Sequence, residues 1–215
     1  MKPGSILTDV AGAKARIVRE IQAAITRAPV AHSLEGKAYS LQSTACRVFF
    51  GPAHPLAGSE KSGIANAHAG LFDGATCIIT PLPGTPVDAV ATVRRFWQSL
   101  GATVCILTPA AHDRLAAQIS RLPHLVAPAL VNATSDAALP LAASGFKDAT
   151  RIAASDPELW LDIFQDNRVN LLRALRRFTR QLDTARRHIE RRDRPALARW
   201  LRRAQKRRLS LDKSP

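Results

Sequence analysis

The chain has 215 residues, of which 46% are hydrophobic and 22% are charged, a composition typical of globular rather than disordered proteins. No apolar run approaches the roughly 18 residues of a membrane span, and the N-terminal stretch lacks the apolar core of a signal peptide, so we expect a cytoplasmic protein without a membrane segment. The three cysteines, Cys46, Cys77 and Cys105, have no paired spacing and predict neither a disulfide framework nor a zinc site.

The net charge of +14 is concentrated near the C-terminus. Residues 168–215 contain 17 Lys or Arg against four acidic residues, a net charge of +13. Such a segment can bind nucleic acid or a membrane surface, or it can be the solvated face of amphipathic helices. Arginine recurs beside Leu, Trp and Ala at helical spacing, and no zinc finger or aromatic RNA-binding motif accompanies it. We therefore favour the solvated face and expect no nucleic-acid partner.

The first half of the chain alternates between predicted strands and helices, which is typical of α/β proteins. Apolar runs predict strands over residues 5–8, 47–50, 76–80 and 103–107. Apolar residues at helical spacing predict helices over 14–26 and 86–100, the second of which ends at Gly101. Residues 54–74 are rich in Gly and Ala and predict a loop.

After Pro109 the pattern is helical throughout. We predict helices over 112–119, 125–133, 136–141 and 156–186, and a last helix opened by Asp193 and Pro195. Pro123 is expected to break the helix before His124, and Ser155 to Glu158 form a capping box at a helix start. These patterns predict an α/β part over residues 1–108 and an all-helical part over residues 109–215.

Four motifs contain residues suited to binding or catalysis. In Thr8–Lys14 (TDVAGAK), a strand end and a turn at Gly12 precede a helix, which is where α/β proteins bind ligands. In His54–Gly63 (HPLAGSEKSG), His54 can accept a proton in a cleft, with Glu60 placed to orient it, although an exposed histidine in a polar loop gives the same pattern.

The other two motifs lie in the helical part. In His112–His124, His112 and Ser120 can share a helical face; two histidines at this spacing are poor zinc ligands, so we predict substrate binding and no metal. In Gly145–Trp160, Lys147, Asp148 and Arg151 share one helical turn. Arg151 can bind a carboxylate with two parallel hydrogen bonds, or it can form a surface ion pair with Asp148.

Together, and in this order, the four motifs resemble the prephenate/arogenate dehydrogenase family, and the resemblance covers nearly the whole chain. Its most specific parts are HPLAGSEKSG and FKDATRIAASDPELW. The resemblance implies a partial Rossmann-like part followed by an all-helical dimerisation domain similar to the C-terminal domain of 6-phosphogluconate dehydrogenase. It also implies oxidative decarboxylation of prephenate to 4-hydroxyphenylpyruvate in tyrosine biosynthesis, dependent on NAD or NADP, or the analogous reaction of arogenate.

The resemblance also assigns roles to individual residues. His54 resembles the catalytic histidine that hydrogen-bonds the ring hydroxyl of the substrate, and Arg151 resembles the arginine that binds its ring carboxylate. His124 resembles the residue near the pyruvyl side chain. The other residues assigned to the substrate pocket are His112, Ser120, Glu60, Lys147, Asp148 and Trp160. Thr8, Asp9 and Gly12 are expected at the nicotinamide end of the cofactor.

The sequence departs from the family pattern at several points. Gly12 stands where the family usually has a serine, Arg121 replaces the first histidine of the usual SHLPH, and Ser144 replaces a glycine. The sequence contains no GxGxxG turn after a strand and lacks the acidic ribose-binding residue, so we expect this chain to bind dinucleotide weakly. A catalytically inactive helical interaction module is the alternative hypothesis.

We also expect a homodimer. Eight apolar residues supply more surface than one helix can bury internally, and a two-fold helical interface is the usual solution. These residues are Leu159, Trp160, Ile163, Phe164, Leu171, Leu172, Leu175 and Phe178.

Overall fold

A computed structural model describes residues 5–27, 48–57 and 64–211. The predicted site residue Glu60 lies outside these ranges. The chain divides into two compact units, Met1–Leu171 and Leu172–Pro215. No helix among the described residues is both long and apolar enough to cross a membrane.

In the part of the chain that the structure describes, five short strands form two small sheets. β1 (Ile6–Leu7) pairs in parallel with β2 (Phe49–Phe50). β3 (Ala53–Pro55) pairs antiparallel with β4 (Thr76–Ile79), which pairs in parallel with β5 (Thr103–Ile106). The strand β3 corrects the predicted loop, because backbone pairing with β4 extends the chain at a place where the Gly-rich sequence carries no strand pattern.

Two helices accompany these strands, α1 (Ala15–Arg27) and α2 (Val87–Ser99). Val93 and Trp97 of α2 lie in one buried cluster with residues of β3 and β4. After α2 the chain turns at Gly101, whose φ of 86° is readily adopted by glycine, as predicted. α2 therefore packs against one face of the sheet that β3, β4 and β5 form.

The helix over residues 109–132 is continuous, and the predicted break at Pro123 is wrong. It consists of α3 (Pro109–Ala116), a π-helical turn (Ala117–Arg121) and α4 (Leu122–Asn132). The N–H of Leu122 bonds to the carbonyl of Ala117, five residues earlier. Pro123 therefore lies in the first turn of a new helical segment, where its missing N–H and fixed φ are tolerated.

The rest of the helical part is more divided than the sequence predicts. The predicted helix at 136–141 is only a 3-10 turn over Leu139–Leu141. The elements that follow are α5 (Ser144–Thr150), a second 3-10 turn (Arg151–Ala154), α6 (Pro157–Asp166), α7 (Arg168–Glu190) and α8 (Arg194–Leu211).

The single helix predicted over 156–186 is two helices, because Asn167 leaves helical geometry between α6 and α7, with φ −118°. Its side-chain amide donates a hydrogen bond to the backbone carbonyl of Asp113, 2.7 Å away. The residue that caps α6 is also not the predicted Ser155: the side chain of Asp156 accepts a hydrogen bond from the N–H of Glu158. The interruption at Asn167 therefore ties the start of α7 to α3.

The second unit contains most of α7 and all of α8. The two helices are joined by a tight turn in which Arg192 has a left-handed conformation, with φ 51°. Asp193 caps α8 by accepting a hydrogen bond from the N–H of Ala196, as the sequence predicts. The indole N–H of Trp200 donates to the side chain of Gln181, which joins α8 to α7.

Candidate functional site

A cavity of about 400 Å³ lies within the first unit, a size typical of small-molecule sites. One part of it is formed by Gly12 and by β3 and the residues that follow it. The other part is formed by the π turn, α4, the second 3-10 turn and α6. The described residues that line it are Gly12, His54, Pro55, Leu56, Ala57, Ile119, Ser120, Arg121, His124, Arg151, Ile152, Trp160 and Ile163.

Two histidines and an aspartate form a hydrogen-bonded chain at one end of the cavity. His54 Nδ1 lies 2.8 Å from His112 Nε2. His112 Nδ1 lies 2.8 Å from Asp113 Oδ1. His112 and Asp113 are buried, whereas His54 lines the cavity. His112 is therefore a neighbour of His54 and not part of the cavity wall.

Asp113 also caps α1. Its two carboxylate oxygens accept hydrogen bonds from the backbone N–H groups of Lys14 and Ala15, at 2.9 and 2.8 Å. Burial raises the pKa of Asp113, but the hydrogen bonds from His112 and from these two N–H groups outweigh it and lower the pKa overall. The carboxylate is ionised and acts only as an acceptor.

This arrangement determines which nitrogen of His54 faces the ligand as an acceptor. Because Asp113 can only accept, Nδ1 of His112 carries a proton, and in the tautomer with no proton on Nε2 that nitrogen accepts from His54. His54 must then donate through Nδ1, which leaves an unprotonated Nε2. The same logic fixes the tautomer of a histidine held by a buried aspartate in hydrolases.

The surroundings of His54 keep it neutral. Burial lowers the pKa of His54 to about 3, and the interactions with His112, Arg121 and Lys14 add to this lowering. A neutral imidazole keeps its lone pair free over the whole physiological pH range, so Nε2 can accept a hydrogen bond from a hydroxyl that is to lose its proton. This end of the cavity can therefore act as a general base.

A buried cation, Lys14, holds together the turn that carries the predicted cofactor residues. Its ammonium donates to Asp9 Oδ1 and to the carbonyl of Ala53. Burial lowers the pKa of Lys14, while the hydrogen bond and charge of Asp9 raise it. Thr8 Oγ1 donates to the carbonyl of Gly51, 2.7 Å away. Of the three predicted cofactor residues, Gly12 lines the cavity, whereas Thr8 and Asp9 are not among the described lining residues.

Arg121, at the end of the π turn, is the most deeply buried cation of the cavity wall, with 1% of its surface exposed. Its Nη2 donates to the carbonyl of Gly12. Burial lowers the pKa of Arg121, while Asp113 raises it; an arginine stays charged in such a setting. The site therefore contains a fixed positive charge close to His54.

A second group of wall residues, the Arg151 end of the cavity, is more exposed to solvent. His124 Nδ1 donates to the carbonyl of Ser120, 2.9 Å away, and the ring of Trp160 stacks on His124 with 3.6 Å between centroids. Burial lowers the pKa of His124; its hydrogen bond to Ser120 raises it and the charge of Arg151 lowers it. Arg151 itself is exposed and lines the cavity. This end presents a guanidinium beside an aromatic wall.

The structure brings together some of the predicted site residues and leaves others apart. Gly12, His54, Ser120, His124, Arg151 and Trp160 line the cavity. Lys147 and Asp148 are exposed on α5 and are not in its described wall. Trp160 and Ile163, which the sequence pattern placed on a dimer surface, face the cavity instead.

Sequence reasoning missed two residues of this site, Asp113 and Arg121. Asp113 follows His112 directly, so an aspartate beside a candidate histidine was a usable signal for an orienting group. Arg121 was visible only as a departure from the SHLPH pattern.

Among the described residues no group of three or more His, Cys, Asp or Glu side chains could hold a metal ion.

Two protein-family models match the chain in succession. Residues 33–107 match the model described as prephenate dehydrogenase, nucleotide-binding domain, and residues 108–203 match prephenate dehydrogenase, dimerization domain. The prephenate dehydrogenase of Bacillus subtilis (strain 168) is 37% identical over 172 residues, which is 77% of this chain and 46% of that protein.

Solved structures match as well. The arogenate dehydrogenase of Synechocystis is 30% identical with a TM-score of 0.74, covering 98% of this chain and 70% of that one. The prephenate dehydrogenase of A. aeolicus, in complex with hydroxyphenyl propionate and NAD+, is 30% identical with a TM-score of 0.77, covering 95% of this chain and 66% of that one. The chain spans about half the length of the curated relatives it matches. These matches confirm the predicted fold class, a partial Rossmann-like part followed by a helical dimerisation domain.

Proposed function

This chain belongs to the prephenate/arogenate dehydrogenase family, as its motifs predicted, and we propose that it carries the substrate site for oxidative decarboxylation of prephenate to 4-hydroxyphenylpyruvate. The observation that carries the proposal is the cavity itself. It contains a neutral base, His54, at one end and a guanidinium, Arg151, at the other. Prephenate has a ring hydroxyl, which needs a hydrogen-bond acceptor, and two carboxylates, which need cations.

In this proposal His54 Nε2 accepts a hydrogen bond from the ring hydroxyl. As hydride leaves the carbon that bears this hydroxyl, the hydroxyl proton shifts towards Nε2. His112 and Asp113 hold the imidazole in the required tautomer, and the carboxylate of Asp113 stabilises the positive charge that the imidazole acquires. General base assistance of this kind is worth about 10² to 10⁴ in rate.

Arg151 binds a substrate carboxylate, because its planar guanidinium can donate two parallel hydrogen bonds to it. His124 and Trp160 form the wall beside it, and their stacking fixes the position of the imidazole. The carboxylate is lost as carbon dioxide, and the electron pair of the broken bond completes the aromatic ring. The protein therefore has mainly to orient the substrate.

The chain's residues fit the nicotinamide end of an NAD-type cofactor. Gly12 lines the cavity with no side chain, and Asp9 Oδ2, just behind it, is buried with no hydrogen-bond partner among the described residues. An orphaned acceptor suits the N–H donors of a carboxamide. Asp9 and Gly12 would hold this end of the cofactor, which supplies a hydride acceptor when bound.

The test is a binding titration of the 215-residue chain with prephenate and, separately, with arogenate, followed by a turnover assay with NAD+ and with NADP+. We expect one site per chain for prephenate and weaker binding in Arg151→Gln. Arg95→Gln, which removes an exposed arginine on α2, is the matched control and should bind normally. Absence of binding to either compound would contradict the proposal, and preference for arogenate would reassign the substrate.

We also propose that the protein is a homodimer. Support comes from the dimerization-domain match and from leucines of α6 that are more than half exposed, Leu159 and Leu161. Sedimentation of the chain should give twice the monomer mass at micromolar concentration. A monomer under these conditions would contradict the assembly.

A further inference from the structure

Arg121 has more hydrogen-bond donors than the described residues satisfy. Nη2 donates to the carbonyl of Gly12, but Nε and Nη1 are buried and have no partner among the described residues. A buried charge with unpaired donors is costly unless something compensates for it. Arg121 therefore lines the cavity as a cation that the described protein groups satisfy only in part.

The absence of a side chain at Gly12 leaves a place for such an atom. A Cβ built at Gly12 would lie 3.5 Å from Arg121 Nη2 and 3.7 Å from His54 Nε2, with nothing nearer. Nη2 and Nε2 therefore flank the face of Gly12 that carries no side chain, and a ligand oxygen packed on that face can contact both groups. Nη2 has a second N–H that is not used by the carbonyl of Gly12.

The chemistry of the two groups restricts what can occupy this space. Nε2 of His54 is an acceptor in the tautomer assigned above, whereas a guanidinium can only donate. The atom between them must donate to one and accept from the other. A hydroxyl does both, whereas a carboxylate cannot donate and an ammonium group cannot accept.

We propose that Arg121 is a further substrate-binding residue and that the ring hydroxyl of the substrate binds between Arg121 Nη2 and His54 Nε2, over Gly12. This inference rests on the proposed function, which supplies the hydroxyl. As hydride leaves the ring carbon, the hydroxyl proton moves to Nε2 and the carbon–oxygen bond becomes a carbonyl; loss of carbon dioxide then turns this carbonyl into a phenolate, whose negative charge Arg121 stabilises. When the carbon–carboxylate bond breaks and carbon dioxide leaves, the proton returns from His54 to the phenol oxygen.

The test compares two probes that differ only in the hydroxyl, 3-(4-hydroxyphenyl)propionate and 3-phenylpropionate, by NMR titration of the 215-residue chain. The unmutated chain should bind the hydroxylated probe about tenfold more tightly, as expected for a hydrogen bond to a charged group. Arg121→Met should abolish this preference and leave the affinity for 3-phenylpropionate within about twofold. Arg114→Met, which removes an exposed arginine on α3, is the control and should keep the preference.

A second variant guards against misfolding of the Arg121 substitution. In Gly12→Ala the new methyl group would make only ordinary van der Waals contacts with the protein, so the fold should tolerate it, but it would occupy the place of the hydroxyl. We expect Gly12→Ala to lose the preference as well. If both probes bind and both variants keep the preference, Arg121 has no such role; if neither probe binds the unmutated chain, the proposed function fails together with this inference.

Discussion

The two ends of the cavity are built on different principles. At the His54 end, the polar groups are buried and bonded to one another in a chain that runs from His54 to Asp113. At the Arg151 end, the guanidinium is exposed and its neighbours are aromatic. Burial strengthens electrostatic interactions and fixes protonation states, whereas an exposed cation attracts an anion without ordering it much. We infer that the buried end governs the rate of the chemical step and the open end governs substrate affinity.

The largest effect should follow substitution of His54. His54→Asn removes the acceptor nitrogen that receives the hydroxyl proton, so kcat should fall about 10² to 10⁴-fold with little change in KM. Steady-state turnover with prephenate and NAD+ measures both constants. A kcat within a few-fold of the unmutated protein would remove His54 from the mechanism.

A smaller loss of kcat should follow Asp113→Asn. The side-chain amide of asparagine can donate as well as accept a hydrogen bond, so it would not keep the proton on His112 Nδ1. His54 would then no longer be held with its lone pair towards the substrate. By the strength of a hydrogen bond to a charged group, we expect kcat to fall about 10- to 100-fold and KM to stay nearly constant. Because Asp113 also caps α1, the thermal midpoint should be measured alongside; loss of stability with an unchanged kcat would show that Asp113 acts only on the fold.

At the open end the effect should appear in KM instead. Arg151→Gln removes the two charged hydrogen bonds from the guanidinium to a substrate carboxylate. We therefore expect KM for prephenate to rise about 10- to 100-fold while kcat falls less. Arg151→Lys should not restore it, because lysine lacks the planar fork. Recovery of a normal KM by lysine would mean that Arg151 supplies charge alone.

The smallest effect should come from the aromatic wall. Trp160 stacks on His124, and such a ring pair is worth about 0.5 to 1.5 kcal/mol beyond its buried area. Trp160→Leu should therefore weaken prephenate binding only about two- to tenfold, and Trp160→Phe should retain most of the affinity. If Trp160→Leu lowered kcat as much as His54→Asn does, the division of roles between the two ends would be wrong.

The sequence predicted the elements that depend on local patterns and missed those that depend on contacts between distant residues. The strands β4 and β5 and the end of α2 at Gly101 were predictable because apolar runs and a turn glycine act locally. The strand β3 was not, since its extended backbone depends on pairing with β4. The break expected at Pro123 does not occur, because a π turn places the proline in a first turn.

Within the site, the open-end residues lie within two nearby helical motifs, so their types and spacing indicated a shared role. The buried end depends on a contact across 58 residues between His54 and His112, and single-sequence patterns contain no information about such pairing. Arg121 resembled an ordinary solvated arginine. Only its burial and its place beside Gly12 distinguish it from the many arginines of the chain.

The most direct test of this account is the protonation state of His54, measured by NMR of the chain labelled with ¹⁵N in its histidines, with His54→Asn used to assign the signal. The pKa of His54 is lowered from 6.5 to about 3, so the imidazole should stay neutral as the pH falls from 8 towards about 4, and it should gain a proton only near the lowered pKa. Its Nδ1 should carry the proton and its Nε2 should be free. An imidazolium at neutral pH, or a proton on Nε2, would contradict the role of His54 as the base held by His112 and Asp113.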